Sequence, residues 1–128
     1  MRVKGKAVRL GDLQLRIMRV LWDRAEATVA DVQQELSGES LAYTTVATML
    51  RKMEDRSLVE HVEDGRKFVY RPAVTMDEVT RSMTGDLVDR LFGGSLADAV
   101  SHLLESRDVS REELVRLEQL IRERKNKP

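Results

Sequence analysis

Hydroxyl and cationic side chains recur at helical spacing within Leu41 to Arg71, LAYTTVATMLRKMEDRSLVEHVEDGRKFVYR. On a 3.6-residue period Thr44, Thr45, Thr48, Arg51 and Lys52 share one face, while Val46, Met49, Leu50 and Met53 share the other. Short hydroxyls followed by long cations offer directional hydrogen bonds first and mobile positive charge second. That order suits a helix whose N-terminal half meets base edges in a groove while its C-terminal half reaches phosphates. Taken alone, the same pattern also describes an ordinary surface helix, because Thr is a middling helix former and a common surface residue.

The residues that follow favour the first reading. Leu58 to Glu63 and Arg66 to Arg71 form a two-strand pattern around Asp64-Gly65, a pair that accepts the positive φ angles of a tight turn. With that turn Val59 faces Tyr70 and His61 faces Phe68, which puts the rings on one side of the hairpin, against the helices. Arg66 and Lys67 give the hairpin a basic tip. A polar-faced helix followed at once by a basic hairpin is the arrangement of a winged helix-turn-helix.

The preceding elements are those needed to hold such a helix. Gly11 to Arg24 reads as a first helix, with Leu10, Leu13, Ile17, Val20 and Leu21 inward, Met18 and Trp22 widening the stripe, and Asp12, Arg16, Arg19 and Asp23 on the wet side. Glu26 to Thr28 reads as a connection, and Thr28 with Asp31 forms a capping-box signature for a second helix to Leu36. Ser37 to Ser40 is the turn before the third helix, whose cap is either Ala42 or Ser40.

Three more helices follow Pro72. Thr75 with Glu78, Ser95 with Asp98 and Ser110 with Glu113 mark their starts. The first runs to about Phe92 with Met76, Val79, Met83, Leu87 and Leu91 as its stripe, and Gly93-Gly94 ends it. The second turns Leu96, Val100, Leu103 and Leu104 inward, and the third Leu114, Leu117, Leu120 and Ile121. Single narrow stripes on short helices cannot close a core alone, so these residues are expected to meet the same helices of a second chain. The expected organisation is mainly α with a small β hairpin: a winged helix-turn-helix DNA-binding domain over residues 1–74 and a three-helix dimerisation domain over 75–128.

Composition bounds the function. Formal charge is zero, with 13 basic against 11 acidic residues up to position 74 and 9 against 11 beyond it. Arg2, Lys4, Lys6 and Arg9 precede the first acid and form a candidate phosphate-contacting arm. With no cysteine, disulfides, thiolate metal sites and thiol switches are excluded. No apolar run reaches the roughly 18 residues of a membrane span, so no direct membrane insertion and a cytoplasmic location are expected. His61 and His102 stand apart, and no nucleophile triad, phosphate loop or carboxylate pair is in a usable setting. No metal, no cofactor and no enzymatic activity are expected.

The segments RLGDLQLRIMRVLWD, TVADVQQEL, YTTVATMLRKM, GRKFVYRP and DVSREELVRL together resemble the penicillinase-repressor family of winged-helix transcriptional regulators, of the BlaI/MecI/CopY type. The resemblance covers essentially the whole chain. It implies a homodimeric repressor whose winged helix-turn-helices each bind half of a dyad operator in double-stranded DNA. It places base and phosphate contacts at Thr44, Thr45, Thr48, Arg51 and Lys52, and the wing contact at Arg66. Thr45 and Thr48 match family hydroxyl positions, whereas Thr44 stands where some members carry a cation. In antibiotic-responsive members a membrane sensor protease system signals, and the repressor is cut at an Asn-Phe bond. Aligned through the Asp-(Leu/Val)-Ser segment, that bond falls on His102-Leu103, where this chain departs from the pattern. The copper-responsive route needs a C-terminal cysteine cluster that this chain lacks. The competing reading is a winged-helix protein-interaction module without sequence-specific DNA binding.

Overall fold

The structure is a computed structural model that describes residues 8–128. In chain order the elements are α1 (Asp12–Arg24), β1 (Ala27–Thr28), α2 (Val29–Glu35), a short 3₁₀ turn (Ser37–Glu39), α3 (Tyr43–Asp55), β2 (Val59–Asp64), β3 (Lys67–Pro72), α4 (Met76–Phe92), α5 (Leu96–Ser106) and α6 (Arg111–Lys125). They form two compact units that divide within α4, between Asp86 and Leu87. No helix among the described residues is long and apolar enough to cross a membrane.

The first unit is built on the stripes of α1, α2 and α3. Ile17, Met18 and Leu21 of α1, Val32 of α2 and Val46, Leu50 and Met53 of α3 are fully buried in one cluster. Trp22 lies at its edge, and its indole N–H donates to the Val74 carbonyl at 2.9 Å. The first half of α4 belongs to this cluster too, through buried Val79 and half-buried Met83. The capping box of α2 forms as its residues suggest: Thr28 N–H donates to the Asp31 carboxylate at 3.0 Å, and Asp31 N–H donates to the Thr28 hydroxyl at 3.1 Å. The Thr28 N–H is the main reason the Asp31 carboxyl titrates below its ordinary 3.8. Thr75 and Glu78 make the same reciprocal pair at α4. At α3 the cap is Ala42, with no side-chain hydrogen bond.

Two details of the sheet differ from the sequence reading. The hairpin gains a third strand, because Ala27 and Thr28 pair with Tyr70 and Val69, which makes β3 central in the order β1-β3-β2. The hairpin register also moves, with His61 opposite Tyr70, Val59 opposite Pro72 and Asp64 opposite Lys67. The turn is therefore Gly65-Arg66 rather than Asp64-Gly65. Gly65 has φ +64° and Arg66 stays outside the positive-φ region, which fits a turn needing glycine at its first central position alone. Moving the loop by one residue moves each cross-strand partner by two. A shift of two preserves the faces of a strand, so His61, Phe68 and Tyr70 still share one side.

The second unit comprises the end of α4 with α5 and α6. Gly93 and Gly94 at φ +57° and +86° terminate α4, and the hydroxyls of Ser95 and Ser110 cap the next two helices by accepting from Asp98 and Glu113 N–H. Its apolar residues are poorly covered. Ala99 is the one buried hydrophobic residue among those described in this unit, whereas Leu91 is 70% and Leu96 68% exposed. No residue of α6 is buried.

The joint between α3 and β2 needs a left-handed residue, and Ser57 takes that role at φ +63°. Leu58 N–H donates to the Met53 carbonyl and Ser57 N–H to the Glu54 carbonyl, both at 2.9 Å, closing the helix in a Schellman motif. Leu58 is buried as a result. Serine carries steric strain here that glycine would avoid. Ser57→Gly should therefore raise unfolding free energy by about 0.5–1 kcal/mol, net of the freer unfolded chain, as chemical denaturation followed by circular dichroism would show.

Candidate nucleic-acid interface

Burial of Val46, Leu50 and Met53 sets the rotation of α3 and turns the opposite residues outward. Thr44, Thr45, Thr48, Arg51 and Lys52 are all exposed, as are Arg66 and Lys67 on the hairpin. The exposed arc resolves into rows of residues four apart. Thr44, Thr48 and Lys52 form an outer row, while Tyr43, Ala47 and Arg51 form the row beside the hairpin. Thr45 flanks the outer row on the far side.

The inner row and the hairpin enclose a cleft of about 390 Å³ whose third wall is Thr28 to Ala30, at the start of α2. Tyr43, Phe68 and Tyr70 give it aromatic surface, and Arg51, Arg66 and Lys67 line it with positive charge. No carboxylate lines it. Burial, and after it the Glu54 carboxylate, push the Tyr70 phenol above its ordinary 10.0, so it stays a neutral donor at physiological pH. The structure thus gathers Arg51, Arg66 and Lys67 at one place and leaves the three threonines and Lys52 on the neighbouring crest. Such a surface offers a cationic cradle for a polyanion beside a row of short hydrogen-bonding groups.

Tyr43, Phe68 and the α2 edge are the parts of this surface that the sequence reading left out. For Tyr43 a signal was present: it stands four residues before Ala47 and eight before Arg51, on the same row. Phe68 was expected against the helices, and its ring is 43% exposed at the cleft. Of the N-terminal arm, Arg2, Lys4 and Lys6 lie outside the described residues. Arg9 sits 3.8 Å from the Asp86 carboxylate, and its carbonyl accepts from the Arg56 guanidinium at 2.7 Å.

Neither histidine belongs to a metal-binding group, and no cluster of three or more potential ligands occurs among the described residues. His61 Nδ1 lies 2.7 Å from the Glu54 carboxylate, at the junction of α3 and the hairpin. His102 packs beside Phe92 with ring centroids 5.7 Å apart. The His102-Leu103 bond lies inside α5, so a protease would have to unwind that helix to reach it.

A helix-turn-helix backed by a three-stranded sheet, with a cationic hairpin beside its third helix, defines a winged-helix DNA-binding regulator. Over residues 10–123 the chain matches the penicillinase repressor family. It is 29% identical over 123 residues to the penicillinase repressor of Bacillus licheniformis, covering 95% of this chain and 96% of the relative. It is 38% identical over 104 residues to the transcriptional regulator BlaI of Mycobacterium tuberculosis, covering 79% and 75%. The solution structure of the DNA binding domain of the repressor BlaI superposes with a TM-score of 0.51 at 28% identity, over 57% of this chain and 90% of that domain. The chain belongs to the penicillinase-repressor family and is a DNA-binding transcriptional repressor.

Proposed function

We propose that the protein represses as a homodimer in the cytoplasm, each subunit placing the outer face of α3 in the major groove of one half of a dyad operator. Residues up to about 74 carry the DNA contact, and the helices from 75 onward carry pairing. Thr44, Thr45, Thr48 and Arg51 read base edges, while Lys52, Arg66 and Lys67 hold phosphates. The observation that carries this reading is the convergence of Arg51, Arg66 and Lys67 on one carboxylate-free cleft beside the threonine crest. Pairing rests on a second observation. Val100, Leu104, Leu114, Leu117, Leu120 and Ile121 line an open apolar groove of about 500 Å³ between α5 and α6, and Leu87, Leu91, Leu96 and Leu103 are exposed on the same unit. Each large aliphatic side chain moved out of water contributes about 1.5–3 kcal/mol, so a second copy of this unit is the occupant that removes most of the cost.

The exposed rings of Tyr43 and Phe68 also suit a protein partner, and salt separates the two readings. A dimer making six to ten phosphate contacts loses roughly 10³- to 10⁵-fold in affinity between 50 and 200 mM salt, whereas an apolar protein contact barely responds. Sequence readout and phosphate contact separate in the same assay, on duplex recovered from sheared genomic DNA that the protein retains. Arg51→Ala and Thr48→Val should each cost about 1–3 kcal/mol on the preferred duplex and less on random sequence. Lys52→Ala and Arg66→Ala should weaken both duplexes alike and make the salt dependence shallower. Equal losses on both duplexes for all four variants would reject this division. For pairing, Leu103→Asp and Leu117→Asp should sediment as monomers with much weaker operator binding, and an intact dimer would reject the assignment.

A further inference from the structure

The hairpin is packed against the first unit at its base. Tyr70 is buried, yet two residues nearer the tip Phe68 is 43% exposed, and Val62 on the other strand is 42% exposed. The outer half of the wing is therefore packed less closely than its base. At the boundary between the held and free halves stands His61, opposite Tyr70 in the ladder. Its Nδ1 lies 2.8 and 2.7 Å from the two carboxylate oxygens of Glu54 in the last turn of α3. A carboxylate only accepts, so Nδ1 carries the proton and donates it. The other side of the contact reaches outward: the His61 ring stacks on Phe68 at 4.1 Å and 14°, and lies 5.6 Å from Tyr70.

Glu54 projects from the hairpin side of α3, one turn beyond Arg51. A charged hydrogen bond from α3 thus holds one ring, and that ring holds the aromatic surface from which Lys67 and the Arg66 turn extend. We propose that Glu54 and His61 form a latch that sets the wing's direction relative to α3, so that Arg66 and Lys67 meet phosphate while the threonine crest sits in the groove. His61 is then a positioning residue. It touches no nucleic acid and acts through Phe68 and the strands. The idea rests on the wing contacts proposed above and adds a residue that those contacts require.

The test measures binding of the full chain to duplex recovered from sheared genomic DNA as a function of salt, with thermal unfolding in parallel. His61→Ala, and Glu54→Gln as the milder change should His61→Ala fail to fold, are each expected to weaken binding about tenfold. They should also reduce the slope of log affinity against log salt by about 0.9 for each phosphate that the wing no longer neutralises. A residue that only stabilises the fold lowers the melting temperature and leaves that slope unchanged. In an Arg66→Ala/Lys67→Ala background either latch change should cost almost nothing further, because no wing cation remains to be aimed. Full additivity with the wing changes, or an unaltered slope in a folded latch variant, overturns the latch. If Arg66→Ala/Lys67→Ala itself leaves the slope unchanged, the wing contact fails and the latch fails with it. A slope lowered by the wing variant but not by the latch variants rejects the latch alone.

Discussion

Burial of Val46, Leu50 and Met53 determines how α3 is rotated about its own axis, and the interface follows from that rotation. With three side chains locked at zero exposure, a helical turn has no freedom to present Thr48 or Arg51 anywhere but outward. The partners in that core come from separated stretches: Ile17, Met18 and Leu21 before it, Val32 beside it, Leu58 and Val59 after it. The polar face is thus specified by the residues that are hidden from it. A change that loosened this packing would blur the spacing between crest and cleft before it removed any contacting group.

The two units solve opposite problems. The first buries its apolar residues within itself and displays charge, so its exposed cations keep their hydration in the free protein. The second displays its leucines. Its helices are well capped by Ser95 and Ser110, so local helix formation is secured by backbone hydrogen bonds while the side chains remain uncovered. Capping fixes where each helix begins, and it does nothing to cover the leucines, which stay exposed in the single chain.

What could be read in the residues divides by range. Helices α1, α2 and α3 and the caps at Thr28, Thr75, Ser95 and Ser110 depend on neighbours three or four positions away, and they stand where the patterns place them. All seven expected DNA-contacting side chains are exposed, because a helical period and a strand turn both report facing directly. The strand formed by Ala27 and Thr28 was not legible, since two residues carry no periodicity and their pairing with Tyr70 spans more than 40 positions. The hairpin register turned on Asp64, which stays outside the positive-φ region that an Asp64-Gly65 turn would require of it, and the Asp-Gly pair alone does not reveal that. The contact of His61 with Glu54 depends on how the left-handed Ser57 joint folds β2 back onto α3, so it lay beyond any local pattern.

The strand order carries one more consequence. With β3 flanked on both sides, β2 is left as an open edge with unpaired backbone groups, the kind of margin onto which a foreign strand can add itself. Glu60, Glu63 and Asp64 populate that strand. Two such margins brought together would press like charges against one another, so wings of neighbouring molecules are kept from zippering into a shared sheet, and the hairpin can keep its outer half exposed without becoming a seed for aggregation.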